Sequence, residues 1–240
     1  MKAKETIDRN VIIACDFSSA KQTCEFLKVF GEERPYLKIG MELFYAEGPE
    51  IVRQLKRKGF PIFLDLKLHD IPNTVKKTMS VLSKLEIDMC NLHAAGTIDM
   101  MKAALEGLTR PDGSRPILLA VTQLTSTSEE RMQKELLISG QMEQVVARYA
   151  QNAQQAGLDG VVCSPLEAAI VKQSCGQKFL TVTPGVRFAE SQSNDQIRIT
   201  TPAKARSMGA DYIVVGRPIT ASDNPREAYL RCVKEFNNNI

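Results

Sequence analysis

The chain has 240 residues, 43% of them apolar and 25% charged, a globular balance that excludes a disordered chain. Lys and Arg total 31 against 28 Asp and Glu, so the formal charge is only +3, with no basic run of five to suggest a nucleic-acid-binding arm. The longest stretch without a charge, Pro116 to Ser128, falls short of the roughly 20 apolar residues that cross a bilayer, and the apolar run Val11 to Cys15 is too short for a signal peptide. A cytoplasmic protein is therefore expected, with neither membrane nor nucleic acid among its partners.

Eight short apolar runs follow one another at intervals of about 30 residues, the length of a strand–helix–strand unit. They are Val11–Phe17, Tyr36–Met41, Ile62–Leu68, Met89–Ala94, Ile117–Gln123, Gly160–Ser164, Phe179–Thr183 and Tyr212–Val215. Continuous runs rich in Val, Ile and Leu suit strands buried on both faces. Helical patterns occupy most of the gaps: Ala46–Lys58, Pro72–Leu85, Ile98–Leu108 and Val145–Ala156. Thr201-Pro202 and Asn224-Pro225 each pair a capping residue with a proline suited to a first helical turn. Strands alternating with helices predict a parallel sheet, and eight such units predict one (β/α)8 barrel over residues 1–240. An open doubly wound sheet would favour a Gly-rich turn after the first strand, where the chain instead reads Asp16-Phe-Ser-Ser-Ala. Two connections, Thr125–Gly140 and Gly185–Thr200, are long and polar, and both follow strand ends where barrel active sites lie.

The six cysteines contain no CxxC pair, and with only two histidines, His69 and His93, no zinc spacing can be assembled. Neither a metal nor a cofactor is expected, and the thiols read as reduced and mostly buried.

The third run, Ile62-Phe-Leu-Asp65-Leu-Lys67-Leu-His-Asp70, carries the densest chemistry. Residues two apart share a strand face, so Asp65 and Lys67 point together, into a core where charges are costly unless paired. Asp70 lies just past the strand, within reach of the same lysine. Asp16 ends the first run and Lys38 interrupts the second, so neighbouring strands carry Asp, Lys, Asp and Lys, the alternation of sign that mutually buried charges need. Flanking carboxylates hold Lys67 as an ammonium, which suits a proton donor or fixed positive charge and opposes Schiff-base chemistry. At the ends of the seventh and eighth runs, Gly185-Val-Arg187 and Gly216-Arg217 form a second constellation. Glycines admit backbone amides to phosphate oxygens and arginines supply forked donors, at the place where barrels often bind phosphate. His93 reads as a hydrogen-bonded core histidine or a support behind the site; His69 is expected to face away from Lys67.

The run Asp65-Leu-Lys67-Leu-His-Asp70-Ile-Pro-Asn-Thr74 resembles the active-site motif of the bacterial orotidine 5′-phosphate decarboxylases. The similarity extends through Asp16, Lys38, Val121-Thr-Gln-Leu-Thr125-Ser, Pro184-Gly-Val-Arg187, Gln196 and Gly216-Arg217. The resemblance implies cofactor-free conversion of orotidine 5′-monophosphate to uridine 5′-monophosphate, the last step of de novo pyrimidine synthesis. It makes Lys67 the proton donor, flanked by Asp65 and Asp70, with Lys38 in the same network. It places Asp16 on the ribose hydroxyls, with Lys38 and Asp65 also facing the substrate, Thr125 at the pyrimidine, and Gln196, Arg187, Gly216 and Arg217 on the phosphate. It further implies a homodimer in which Asp70 and Thr74 reach into the partner's site. The DxKxxD core alone is shared with magnesium-dependent sugar-phosphate decarboxylases and aldolases, which remain the alternative enzymatic reading. A non-catalytic nucleotide-binding barrel is the alternative outside enzymes.

Overall fold

A computed structural model describes residues 10–190 and 200–237. Its eight parallel strands close into a barrel in sequence order. They are β1 (Val11–Ala14), β2 (Tyr36–Gly40), β3 (Ile62–Leu68), β4 (Met89–His93), β5 (Ile117–Val121), β6 (Gly160–Val162), β7 (Leu180–Thr183) and β8 (Tyr212–Val215). Each pairs with its successor, and β8 returns to β1 with Ile213 opposite Val11. Helices follow the strands around the outside, as the alternation predicts.

Strand alternation sorts the apolar residues into two layers. Ile12, Ala14, Tyr36, Phe63, Met89, Leu119, Val182 and Val214 form a cluster of their own inside the barrel. Val11, Ile13, Leu37, Ile39, Leu64 and Cys90, their neighbours in sequence, pack outward against the helices. The inward positions one layer up are Lys38, two residues after Tyr36; Asp65, two after Phe63; and Asn91, two after Met89. Apolar side chains thus fill the bottom of the barrel, and polar ones begin at a definite height.

Several elements differ from the expected pattern for local reasons. β1 stops at Ala14 and leaves Asp16 beyond the strand. The expected helix Ala46–Lys58 is two helices, Met41–Glu47 and Pro49–Arg57, divided at Gly48 with φ +66° and followed by a proline at the new first turn. The connection expected to be loop, Thr125–Gly140, holds a helix at Glu129–Lys134. Ser128 accepts from the Arg131 N–H at its start, and acidic and basic residues sit at its two ends. Helices Ala20–Leu27 and Ala168–Cys175 complete the first and sixth units; Ser19 caps the former, accepting from Gln22 N–H.

At the end of the barrel opposite these charges, one device appears three times. Asp88, Asp159 and Asp211 each precede an even-numbered strand and accept the backbone N–H of the strand before it: Ile62 at 2.7 Å, Leu118 at 2.8 Å and Thr181 at 2.8 Å. A cation completes each carboxylate: Lys56 at 2.7 Å, Arg115 through Nη2 at 2.8 Å, and Lys172 at 2.6 Å. Two residues before each aspartate the backbone takes positive φ, at Glu86, Gly157 and Gly209. This repeat, invisible to a search for similar residues because only the aspartate is shared, ties odd and even strands together below the core.

Candidate active site

A pocket of about 330 Å³ opens at the carboxyl ends of the strands. Its floor is Ala14, Phe63 and Val214; its wall carries Asp16, Lys38, Asp65 and Lys67. Thr125, Gly185, Arg187, Gly216 and Arg217 face the same space. Six strand ends and the loops after them therefore bring together residues that span 14 to 217.

The four charges form one chain. Lys38 Nζ lies 2.9 Å from Asp16 Oδ1 and 3.3 Å from Asp65 Oδ2, and Lys67 Nζ donates to Asp65 Oδ1 at 2.6 Å. The Asp65 side chain is 10% exposed and that of Lys38 12%, whereas that of Asp16 is 59% exposed. Burial disfavours the Asp65 carboxylate, but Lys38, Lys67 and the hydrogen bonds from Lys67 and Asn91 outweigh it and hold its pKa below the ordinary value. Burial likewise disfavours the Lys38 ammonium, and Asp65 and Asp16 outweigh it, leaving its pKa above the ordinary value. Two lysine side chains therefore converge on one buried carboxylate.

Gly40, which the sequence pattern did not single out, lies close beneath this wall. A Cβ there would stand 3.2 Å from both Asp16 Oδ1 and Lys38 Nζ. Asn91 also escaped the pattern, although a lone amide inside the apolar run Met89-Cys-Asn-Leu is itself a signal. It is 1% exposed and bonds to both Asp65 and Lys67.

On the opposite wall Arg187 is buried, and Gly185 before it takes φ +82°. Gly216 precedes the short helix Arg217–Thr220. Gln196 lies outside the described residues.

Asp70 and Thr74 do not line the pocket. Reach from Asp70 to the lysine of its own chain, expected from its place after the strand, is not what the structure shows. Among the described residues no ion pair joins it to Lys67; Asp70 is exposed, and its Oδ1 accepts the Ile71 N–H at 2.6 Å. The chain turns outward there into the helix Pro72–Leu82, which also exposes Val81, just after the exposed Ile71. His93 is not the hydrogen-bonded core histidine expected: among the described residues its ring makes no hydrogen bond. It stands 5.7 Å from the His69 ring and is half-buried, so that burial, then His69 and Lys67, lower its pKa. His69 does not line the pocket, as expected; strict alternation would have set it on the face of Lys67, but the strand ends at Leu68, before it.

A closed barrel whose pocket wall pairs buried ammonium and carboxylate groups defines the class: a (β/α)8-barrel enzyme working at the carboxyl ends of its strands. Residues 9–232 match the model of the orotidine 5′-phosphate decarboxylase / HUMPS family, and the chain belongs to that family. It is 54% identical over 228 residues to an orotidine 5′-phosphate decarboxylase of Geobacillus sp. (strain WCH70), covering 94% of this chain and 95% of that protein. The same identity holds over 226 residues with the orotidine 5′-phosphate decarboxylase of Bacillus cytotoxicus, covering 93% of this chain and 95% of that one. Among solved structures it is similar to the orotidine 5′-phosphate decarboxylase of Lactobacillus acidophilus, at 42% identity and a TM-score of 0.86 over 96% of this chain and all of the other. An uncharacterized conserved protein from Geobacillus kaustophilus gives 47% identity and a TM-score of 0.85, over 95% of this chain and all of that one.

Proposed function

We propose that the chain decarboxylates orotidine 5′-monophosphate to uridine 5′-monophosphate with Lys67 as the acid. The activity follows from membership of the family and from curated relatives of that name at 54% identity over nearly the whole chain. The observation that carries the residue-level reading is the chain Asp16–Lys38–Asp65–Lys67 along one pocket wall.

The reaction breaks the bond between carbon 6 of the pyrimidine and its carboxylate. Carbon dioxide leaves, the electron pair stays on carbon 6, and a proton must arrive there. An ammonium held by Asp65 stabilises the developing negative charge without reorganising and then donates that proton. Solvent restores the proton to the lysine. Lys38, held between Asp16 and Asp65, is a fixed charge beside the acid. Asp16 is exposed enough to accept hydrogen bonds from ribose hydroxyls, and Thr125 faces the base. Gly185, Arg187, Gly216 and Arg217 hold the phosphate, whose binding energy is available to orient the reacting ring; Gln196 belongs with them in this reading.

The active unit is a homodimer, with Asp70 and Thr74 of each chain entering the partner's pocket. Their exposure, their absence from their own pocket, the exposed apolar Ile71 between them and the exposed Val81 farther along the same helix support this reading. Among the described residues no helix is long and apolar enough to cross a membrane; a cytoplasmic location is proposed.

The decisive assay follows the loss of ultraviolet absorbance when orotidine 5′-monophosphate is added, with and without EDTA. Turnover is expected in both. Activity that vanishes in chelator and returns with magnesium would overturn this reading in favour of a magnesium-dependent sugar-phosphate enzyme.

A further inference from the structure

β3 does not run straight through its charged segment. Its pairing with β4 is regular at Phe63↔Met89 and Leu64↔Cys90, then shifts so that Leu68 meets Leu92. Between those pairs β3 advances four residues and β4 only two, so β3 bulges at the residues that carry the charges. Lys67 takes φ +51° inside this bulge, a backbone conformation unusual for a lysine and kept only where neighbours hold it.

One side chain holds it. Asn91 Oδ1 accepts the backbone N–H of Lys67 at 2.9 Å, and Asn91 Nδ2 donates at 2.7 Å to Asp65 Oδ1. That oxygen is the one that accepts from Lys67 Nζ at 2.6 Å. An N–H can only donate and a carboxylate only accept, so the amide has one orientation that satisfies both. We infer that Asn91 is a positioning residue: it pins the bulge and the carboxylate together, and so sets where the Lys67 ammonium stands. The inference rests on the reading of Lys67 as the acid. Asn91 does not line the pocket, so its effect belongs to the chemical step and not to substrate affinity.

Two variants test it. Asn91→Leu keeps the volume and removes both hydrogen bonds. Its kcat on orotidine 5′-monophosphate is expected to fall about 100-fold, the cost of misplacing a reacting group by an ångström, with KM changed by less than about threefold. Asn91→Asp keeps the acceptor for Lys67 N–H but sets a second carboxyl against Asp65. The pair then needs a shared proton, so kcat is expected to recover as pH falls toward 5 and to collapse toward pH 8, a pH dependence absent from the parent enzyme. A purely structural Asn91 would lower the thermal midpoint of Asn91→Leu yet leave kcat within about threefold, and that result overturns the inference. If Asn91→Leu fails to fold, Asn91→Asp decides alone, and a pH profile superimposable on the parent's overturns it equally. Lys67→Ala, run beside them, separates the two readings: if it retains turnover, the assignment of Lys67 falls, whereas a dead Lys67→Ala beside a fully active Asn91→Leu removes only Asn91.

Discussion

Lys38 touches two carboxylates, and the structure says that they are not equal. Its distance to Asp65 is the longer, 3.3 Å against 2.9 Å to Asp16. Distance alone would rank Asp16 first. Burial reverses the order, because Asp65 is 10% exposed and Asp16 59%. At an effective dielectric near 20 the Asp65 attraction is about 5 kcal/mol, whereas in a water-like dielectric the Asp16 attraction is about 1.4 kcal/mol. Desolvation offsets part of the first, and side-chain ordering most of the second. The expected coupling free energies are therefore about 3 kcal/mol for Lys38 with Asp65 and below about 1 kcal/mol for Lys38 with Asp16. Two double-mutant cycles measure them, using Lys38→Met with Asp65→Asn and Lys38→Met with Asp16→Asn. The chain has no tryptophan, so urea unfolding is followed by far-ultraviolet circular dichroism, at one fixed protein concentration because the proposed dimer would make stability depend on it. Equal couplings, or a larger one with Asp16, would refute the argument that burial outranks distance at this wall.

Lys67→Ala is expected to lose at least about 1,000-fold in kcat while still binding uridine 5′-monophosphate in calorimetry, since a charge acting on the developing carbanion contributes little to product affinity. Arg217→Ala should weaken nucleotides bearing the phosphate by about 1.5–3 kcal/mol per lost hydrogen bond and leave the phosphate-free nucleosides almost unchanged, a contrast read from paired kcat/KM values. Lys67→Ala and Asp70→Ala chains, each nearly inactive alone, should recover about a quarter of parental activity after subunit exchange, because half the dimers are mixed and each mixed dimer rebuilds one site of two; confirmed exchange without recovery places Asp70 in its own chain's site. The folded-state pKa of Asp65 lies below its unfolded value, so its contribution to stability is present above the unfolded pKa and is lost as pH falls through the folded one. Asp65→Asn should accordingly flatten the acid limb of a stability–pH curve below about pH 4, measured by urea midpoints.

The strands were legible because each is a continuous apolar run, and β3 and β8 span the residues that the pattern marks. The break at Gly48-Pro49 was equally local but lay inside an amphipathic stretch, where apolar periodicity masks a change of helix. Ser128 at the head of Glu129–Lys134 was a capping signal overruled by the polarity of its surroundings. Asp16, Lys38, Asp65 and Lys67 stood out because a charge inside an apolar run needs a partner, and that need is a property of composition along the chain.

Which partner each found is another matter. Period two places Asp65 and Lys67 on one face, yet the lysine reaches its carboxylate from a bulge that exists only because β4 is in register on both sides of it. Asn91 is an ordinary amide until β4 lies beside β3. Gly40 is an ordinary glycine until Asp16 and Lys38 meet above it. The exposed Asp70, its carboxylate accepting the Ile71 N–H, was likewise not written in the apolar pattern. Hydrophobic periodicity is a one-dimensional signal, so it determined the strands, their order and the charges that had to be paired. Register and barrel closure are relations between segments far apart in the chain, and only the tertiary structure decided the distances, the strained lysine and the residues that hold it.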